Sequence, residues 1–301
     1  MKPTVVISAC LNGLPYRYNG ATVNDELVNK LKPLFNLVHV CPEFEIGLGI
    51  PRKTIKLHKV GDEIRAIQDE TEIDLTSRLE NFANNFLKNL GDVHGFILKA
   101  KSPSCGVGST KVYVNGNVYG KTYGIFAKVV KENLPHIPLI DEGRLRNKDL
   151  MWEFLTKVFM LFRFEKAKSG INNLIEFHSR HKYLFMSISQ KHLKNLGRII
   201  AEHKTGNFEQ IIKKYELTFK DMMKQSFRRT NLVNSIIHIF GHISENLSRS
   251  EKAYFLKMVD KFKNAKVELT TIVEMLRIYG MRFENEYLLG QYFLEPFPEI
   301  L

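Results

Sequence analysis

Three cysteines stand out in the 301-residue sequence because of where they occur. Cys10 ends the apolar run at 5–9, Cys41 ends a second apolar run, and Cys105 follows a third at 95–99. Short apolar runs rich in β-branched residues predict buried strands, and the carboxyl ends of parallel strands meet at one edge of a sheet. We therefore expect the three thiols to converge on one point.

Three converging thiolates suit a soft metal. Tetrahedral zinc, with a fourth ligand from elsewhere in the protein or from water, is one possibility. A [4Fe–4S] cluster with three cysteine ligands is another, and it leaves one iron open to an exogenous ligand. No Cys-x-x-Cys pair is present to favour structural zinc, so the residues alone leave the choice of metal open. Three unrelated cysteines packed in a core are the alternative.

The segment from Cys41 to Arg52 carries further groups that can act on a bound ligand. It contains two carboxylates, Glu43 and Glu45, together with two glycines and the arginine. Strand-like alternation would put both carboxylates on the same side of the segment, so both are expected to face the thiols. A carboxylate in that place can activate water or move a proton.

The order of the elements predicts two domains. In the first half, apolar runs alternate with helical periods, which indicates an α/β, Rossmann-like parallel sheet. Two hairpin patterns occur within it, at 55–68 and 112–119. From residue 148 onward almost all periods are helical, which predicts an all-α domain. We place the boundary between a first domain of residues 1–145 and a second of residues 146–301.

Charge and composition restrict the classes of function. The net charge is +12, of which residues 1–150 contribute +4 and residues 151–301 contribute +8. A basic excess favours a polyanionic partner such as nucleic acid, and a well-solvated surface is the alternative. No stretch has the apolar length that a membrane span needs, and the N terminus lacks a signal-peptide pattern. The sequence therefore predicts a cytoplasmic protein with no membrane partner.

Three separated motifs resemble the thiouracil desulfidase (TudS) family, in the family's order. They are Ser8-Ala9-Cys10-Leu11 with Arg17-Tyr18 and Gly20, Cys41-Pro42-Glu43 with Gly47-Leu48 and Pro51-Arg52, and Ser102-Pro103-Ser104-Cys105-Gly106. This resemblance covers roughly residues 1–145. The helical half resembles YbgA-type domains, mainly through the stretch from His178 to Tyr183, which reads His-Ser-Arg-His-Lys-Tyr. The whole chain thus resembles the fused desulfidases that remove sulfur from 4-thiouridine in nucleotides or in tRNA.

The resemblance implies a cofactor and a reaction. The cofactor is a [4Fe–4S] cluster held by Cys10, Cys41 and Cys105, whose fourth iron is open to the sulfur of the substrate. The reaction is hydrolytic and non-redox: C=S becomes C=O, and sulfide is released. The resemblance therefore turns the open choice of metal into a preference for iron–sulfur.

Roles for the remaining site residues follow from the same motifs. Glu45 is predicted to be the acid/base residue because it matches the fused branch, with Glu43 as its structural partner. Ser102 is predicted to bond the substrate or to relay a proton, and a turn-capping role is the alternative. From side-chain chemistry, the residues predicted to contact the substrate are Arg17, Tyr18, Arg52, Lys101 and Ser104. The alternatives are surface charges for the three cations, turn packing for the tyrosine and turn capping for the serine.

The favoured function is the desulfidation of 4-thiouridine in tRNA, with the basic helical domain docking the polynucleotide. A salvage enzyme for free thiouracil or 4-thiouridine monophosphate is the alternative within this class. A non-catalytic RNA-binding module with structural zinc and a cluster-based redox sensor are alternatives of other classes. His178 and His181, three apart on a predicted helix, are expected to be buried or surface-polar residues and not metal ligands.

Overall fold

The computed structural model describes residues 1–204 and 206–300, and the chain divides into two compact units. The N-terminal unit comprises Met1–Val158 together with Glu299 and Ile300, and the helical unit comprises Phe159–Pro298. Among the described residues, no helix has the length and apolar character needed to cross a bilayer.

The N-terminal unit alternates strands and helices. Its strands are β1 (Thr4–Ser8), β2 (Asn36–Val40), β3 (Ile55–Val60), β4 (Glu63–Gln68), β5 (Gly95–Leu98), β6 (Thr110–Val114), β7 (Asn117–Thr122) and β8 (Leu139–Asp141). Its helices are α1 (Glu26–Leu31), α2 (Thr76–Asn89), α3 (Ile125–Asn133) and α4 (Glu142–Leu145), with short helical turns at Ala9–Asn12, Lys32–Leu34 and Phe44–Leu48. Four of the strands form a sheet in the order β2-β1-β5-β8, and all of its neighbours are parallel. This confirms the predicted α/β class.

The parallel sheet has a core on its covered faces. All four residues of β5 are buried, as are four of the five in β1. Helices α2 and α3 contribute Phe82, Phe86 and Phe126, whose rings contact one another above the sheet. Strands buried on both faces need apolar side chains at every position, and this is why they appear in the sequence as uninterrupted apolar runs.

The two predicted hairpins form, and they join in a second sheet that the sequence did not indicate. Its order is β4-β3-β6-β7, with antiparallel pairs at both ends and a parallel pair in the middle. The parallel pairing sets Leu57 opposite Val112, and both side chains are buried beneath Leu79 of α2. Leu57 and Val112 are far apart in the chain, so no local sequence pattern predicts that their strands pair.

The helical unit contains helices and no strand among its described residues, as predicted. Starting with a helix that begins in the N-terminal unit, they are α5 (Lys148–Ala167), α6 (Ile171–Ile188), α7 (Gln190–Ala201), α8 (Phe208–Met223), α9 (Arg229–Gly241), α10 (Arg249–Lys263), α11 (Leu269–Arg282) and α12 (Glu286–Leu289), with helical turns at Glu202–Lys204 and Ser244–Asn246. An aromatic cluster from α5, α6 and α8 fills part of its core: Phe164, Phe177, Phe185, Tyr215 and Phe219.

Candidate active site

Three neighbouring parallel strands end at the same edge of the sheet, and a cysteine follows each of them. Cys41 comes directly after β2, Cys10 lies just past β1, and Cys105 lies in the loop after β5. All three border one open cavity of about 340 Å³. Sites for small molecules commonly have volumes of about 300–1,000 Å³. The fold therefore gathers the three thiols at a place of suitable size for a ligand.

Most of the residues predicted for the site border the same cavity. Those that do are Cys10, Arg17, Tyr18, Cys41, Glu43, Arg52, Lys101, Ser102 and Cys105. Two predicted residues do not border it. Glu45 is exposed to solvent, and Ser104 is fully buried behind the cavity wall.

The three thiols sit where a free thiolate is unfavourable. Burial raises the pKa of Cys10 to about 11, and it also raises the pKa of Cys41 and, most strongly, that of Cys105. Each thiolate would also repel another, because the charge of Cys41 raises the pKa of both Cys10 and Cys105. Such thiolates need a bound cation to stabilise them, so this donor set fits a metal cofactor.

The spacing of these donors bears on the kind of cofactor. Among the described residues, no group of three His, Cys, Asp or Glu side chains is arranged to hold a single metal ion. The three cysteines of a four-iron cluster bind three different iron atoms, so they need not lie as close together as the ligands of one ion.

A buried ion pair supports the cavity beside Cys41. Arg52 Nε donates to Glu43 Oε2 at 2.8 Å, and the two side chains are only 4% and 12% exposed. The same guanidinium donates to the carbonyl of Tyr16 at 3.0 Å and reaches Cys41 Sγ at 3.8 Å. Arg52, predicted to contact substrate, is therefore engaged mainly with the protein, and it fixes both Glu43 and the loop around Cys41.

The second oxygen of Glu43 holds the loop that carries Cys105. Glu43 Oε1 accepts from Ser104 Oγ at 3.0 Å and from Ser102 Oγ at 3.4 Å. Ser102 Oγ in turn accepts from the backbone N–H groups of Ser104 and Cys105, at 3.2 and 3.1 Å. Ser102 therefore caps its turn and also borders the cavity, while Ser104 serves the loop from behind.

The segment after Cys41 is helical, and this corrects one expectation. Phe44–Leu48 forms a wide helical turn, in which Phe44 and Glu45 N–H groups both donate to the Cys41 carbonyl at 3.0 Å. In a helical turn, residues two apart point in different directions, so the strand-like alternation assumed for Glu43 and Glu45 does not hold. Glu43 borders the cavity and Glu45 faces solvent.

The cavity opens between basic and aromatic side chains. The guanidinium carbon of Arg17 lies 5.6 Å from the centre of the Tyr18 ring, and Tyr18 is 42% exposed. Lys101 is exposed, with a left-handed backbone (φ 62°) that Ser109 Oγ supports by accepting from its N–H at 3.0 Å. A positive φ is strained for a lysine, so this loop is held by its surroundings.

The sequence analysis missed the pairing of Lys99 with Glu142. Lys99 borders the cavity, and its ammonium donates to the nearly buried carboxylate of Glu142. Its positive charge opposes the rise in the pKa of Cys10. Lys99 directly follows β5 and Glu142 directly follows β8, so the rule that locates ligand sites at strand ends could have found both.

Each half of the chain matches the model of a known protein family. Residues 5–142 match the family model described as 2-thiouracil desulfurase, and residues 182–298 match that of DUF1722, a protein family of unknown function. The first half of the chain is thus similar to 2-thiouracil desulfurase domains, and most of the second half is similar to DUF1722 domains. The desulfurase match spans both the sheet and all three loops that carry the cysteines.

Each of two curated relatives is similar to one half of the chain. YbgA of Escherichia coli, an uncharacterized protein, is 20% identical over 151 residues, which are 49% of this chain and 89% of YbgA. YbbK of Bacillus subtilis, also uncharacterized, is 29% identical over 141 residues, which are 42% of this chain and 89% of YbbK. Among solved structures, the [4Fe-4S]-dependent thiouracil desulfidase TudS matches 50% of this chain and 98% of its own at 26% identity and a TM-score of 0.39.

Within the desulfurase domain, the arrangement can bring four kinds of group to a ligand: thiols for a soft metal, the Glu43 carboxylate, the Ser102 hydroxyl, and cations at the entrance. The donors lie on loops fixed from behind by the Glu43–Arg52 pair and by Ser104. Groups held this firmly lose little freedom when a ligand binds, and this favours both affinity and catalysis.

Proposed function

We propose that the protein is an iron–sulfur-dependent desulfidase that replaces the sulfur of 4-thiouridine by oxygen, with tRNA as the substrate. The observation that carries the proposal is the meeting of Cys10, Cys41 and Cys105 at one cavity inside a 2-thiouracil desulfurase domain. These three residues would hold a [4Fe–4S] cluster. When bound, such a cluster supplies a thiophilic Lewis acid for the sulfur atom of the substrate.

The overall reaction is a hydrolysis. Water adds its oxygen to the ring carbon, and its two hydrogens leave with the sulfur as hydrogen sulfide, so no electron donor or acceptor is needed. A carboxylate that takes a proton from water promotes this addition. Glu43 and Ser102 border the cavity and are hydrogen-bonded to each other, which supports a role for both in moving that proton. Glu45 is the other candidate, from its match to the family motif.

The residues at the cavity entrance would bind the nucleotide. Arg17 and Lys101 are cations suited to a phosphate, and the half-exposed ring of Tyr18 offers an apolar face for a base. The helical half carries +8 of the net charge of +12, and this supports tRNA over a free nucleotide as the substrate.

Anaerobic reconstitution tests the proposal. The loaded protein should be brown, should contain about four irons and matching acid-labile sulfide per chain, and should release sulfide from 4-thiouridine in tRNA. Thiolated tRNA, 4-thiouridine monophosphate and free thiouracil are assayed in parallel. Turnover of the nucleotide with tRNA untouched would assign a salvage enzyme, and one colourless zinc without sulfide release would reject the desulfidase.

Cys105→Ser is the matching loss-of-cluster variant, and Gly91→Ala in an exposed loop is the control. We expect Cys105→Ser to lose iron and turnover together while the control keeps both. A Cys105→Ser protein with full iron content and turnover would show that this residue is not a ligand.

A further inference from the structure

Two guanidinium groups lie against one aromatic ring in the helical unit. The Arg163 Cζ atom of α5 is 3.7 Å from the centre of the Tyr292 ring, and the Arg180 Cζ atom of α6 is 4.2 Å from it. Tyr292 is itself tied to α6, because its N–H donates to the Arg180 carbonyl at 2.9 Å. Both guanidinium groups therefore contact the same ring, and the backbone of that ring is anchored to α6.

The positive charge of Arg163 is poorly compensated. Burial lowers the pKa of Arg163 to about 10 and the charge of Arg180 acts in the same direction, while the charges of Tyr292 and Glu295 oppose this shift without reversing it. Arg163 Nη1 donates to the Pro296 carbonyl at 2.7 Å, and no ion pair to Arg163 occurs among the residues that the structure describes. A guanidinium has five N–H donors, so most of its capacity is unused. A largely buried cation in this state favours an anion.

Arg180 is also only partly engaged. Its Nε donates to the Gly290 carbonyl at 3.0 Å, and its Nη1 lies 3.3 Å from Glu176 on the surface of α6. The Arg180 side chain is 40% exposed, so its guanidinium can be reached from solvent.

The interior next to Tyr292 is polar. The ring of His181 packs on Tyr292 with centres 4.5 Å apart, and its Nδ1 donates to the Phe177 carbonyl at 2.7 Å. His181 Nε2 and Gln291 Oε1 are buried and have no hydrogen-bond partner among the described residues. Both are acceptors, suited to water around a bound anion and not to the anion itself. His181, which contacts the ring, thus adds an unused acceptor beside the unused donors of Arg163.

We propose that Arg163 and Arg180, held on the Tyr292 ring, form a binding site for one phosphate group. A planar guanidinium group matches the oxygens of a phosphate, whose negative charge would offset the charge of the two arginines. The phosphate comes from the RNA backbone or from free phosphate. The RNA source rests on the proposed docking of tRNA by the helical unit, whereas binding of phosphate itself does not.

Equilibrium binding to the full-length protein tests the site without relying on turnover. Fluorescence anisotropy with unmodified tRNA at several salt concentrations gives the affinity and its salt dependence, and titration with inorganic phosphate tests the second source. Arg180→Gln is the main variant. Arg277→Gln is its control, since Arg277 is 39% exposed and also lies 3.3 Å from a glutamate of its own helix. Arg163→Lys keeps the charge but removes the planar fork.

We expect Arg180→Gln to weaken tRNA binding about tenfold and to reduce the slope of log K against log salt by about one, with a smaller loss for Arg163→Lys. Loss of phosphate binding alone in Arg180→Gln would support the site and assign free phosphate as its ligand. Unchanged binding of both ligands, or an equal loss in Arg277→Gln, would overturn the site. Failure of the desulfidase proposal would appear separately, as wild-type protein that binds tRNA but releases no sulfide.

Discussion

Glu43 and Glu45 are two positions apart in the chain and lie in different surroundings. Glu43 accepts hydrogen bonds from Arg52 and from two serines, while Glu45 is exposed on the helical turn that follows Cys41. Substituting each residue in turn therefore tests which of them stabilises the fold and which of them moves the proton.

Glu43→Gln removes the charge that balances the almost fully buried Arg52. We expect the free energy of unfolding of the N-terminal unit to fall by about 3 kcal/mol, because a buried guanidinium is left unpaired. Glu45→Gln changes an exposed side chain and should alter it by less than about 0.5 kcal/mol. Urea unfolding of the cluster-free protein measures both. Equal stability of the two variants would contradict the structural role of Glu43.

The same two variants assign the acid/base residue. Replacing the carboxylate that moves the proton by its amide should lower kcat about 10²–10⁴-fold, with iron content retained. If Glu45→Gln shows this loss at unchanged stability and cluster absorbance, Glu45 reaches the substrate in the working enzyme. If its turnover is normal, the proton belongs to Glu43 and Ser102.

Among the elements, the loop after β5 and the start of α3 depend on close contact. Ile125 and Ala127 N–H groups at the amino end of α3 donate to the carbonyls of Pro103 and Ser104, at 2.9 and 3.1 Å. Gly124 makes this approach possible, because a Cβ there would lie 2.5 Å from the Ser104 backbone. The helix therefore positions the loop that carries Cys105.

Gly124→Ala should push this loop away from α3. We expect a loss of about 1–3 kcal/mol in the free energy of unfolding and a lower iron content after reconstitution, because Cys105 shifts with its loop. Gly91→Ala is the control, since nothing lies within 4 Å of a Cβ at that position. Iron and sulfide analysis together with urea unfolding provide the measurements. Wild-type iron content in Gly124→Ala would show that the loop tolerates the displacement.

Helix α6 carries a histidine that the fold keeps neutral. Burial lowers the pKa of His178 to about 4, and the charge of Lys182 adds to this. His178 Nδ1 lies 3.1 Å from the hydroxyl of Tyr215, whose pKa burial raises well above its usual value. The phenol stays protonated and donates to Nδ1, so a proton on His178 would displace this hydrogen bond.

This pKa shift predicts a pH dependence of stability. Between about pH 6.5 and 4, His178 in the unfolded chain takes up a proton that the folded chain does not, so stability falls as the pH is lowered through that window. His178→Gln should make the thermal midpoint vary less with pH there. His181, whose pKa burial lowers further, contributes in the same direction and is present in both proteins. Identical pH profiles would refute the assignment.

For the whole molecule, the division of charge sets the expected response to salt. The cavity entrance has only a few cations, whereas the helical half has an excess of +8. A polynucleotide can contact several of these charges, but a mononucleotide can contact only those near the cavity. Added salt should therefore weaken the binding of a polynucleotide more than that of a mononucleotide.

We expect the KM for thiolated tRNA to rise steeply between low and physiological salt, because each phosphate contact adds about 0.7–0.9 to the slope of log affinity against log salt. The KM for 4-thiouridine monophosphate should change far less, and this serves as the internal control for salt effects on the cluster. Steady-state sulfide release at four or more salt concentrations gives both slopes. Parallel slopes would argue against docking by the basic helical half.

The local pattern determined the classes of the two halves and the positions of the three cysteines. Apolar runs mark strands buried on both faces, and parallel strands end at a common edge, so Cys10, Cys41 and Cys105 were placed together without knowing any contact. The entrance residues Arg17 and Lys101 followed from their position in the same loops. Short-range periodicity and one rule of sheet topology are enough for these predictions.

Only the tertiary structure decided which side chains actually face the ligand. The helical turn after Cys41 turns Glu45 to solvent, because the backbone bonds to the Cys41 carbonyl instead of extending. The two hairpins form one sheet, and Lys99 pairs with Glu142. Both contacts bring together residues that are distant in the chain. Such contacts depend on packing across the fold, which no local sequence pattern encodes.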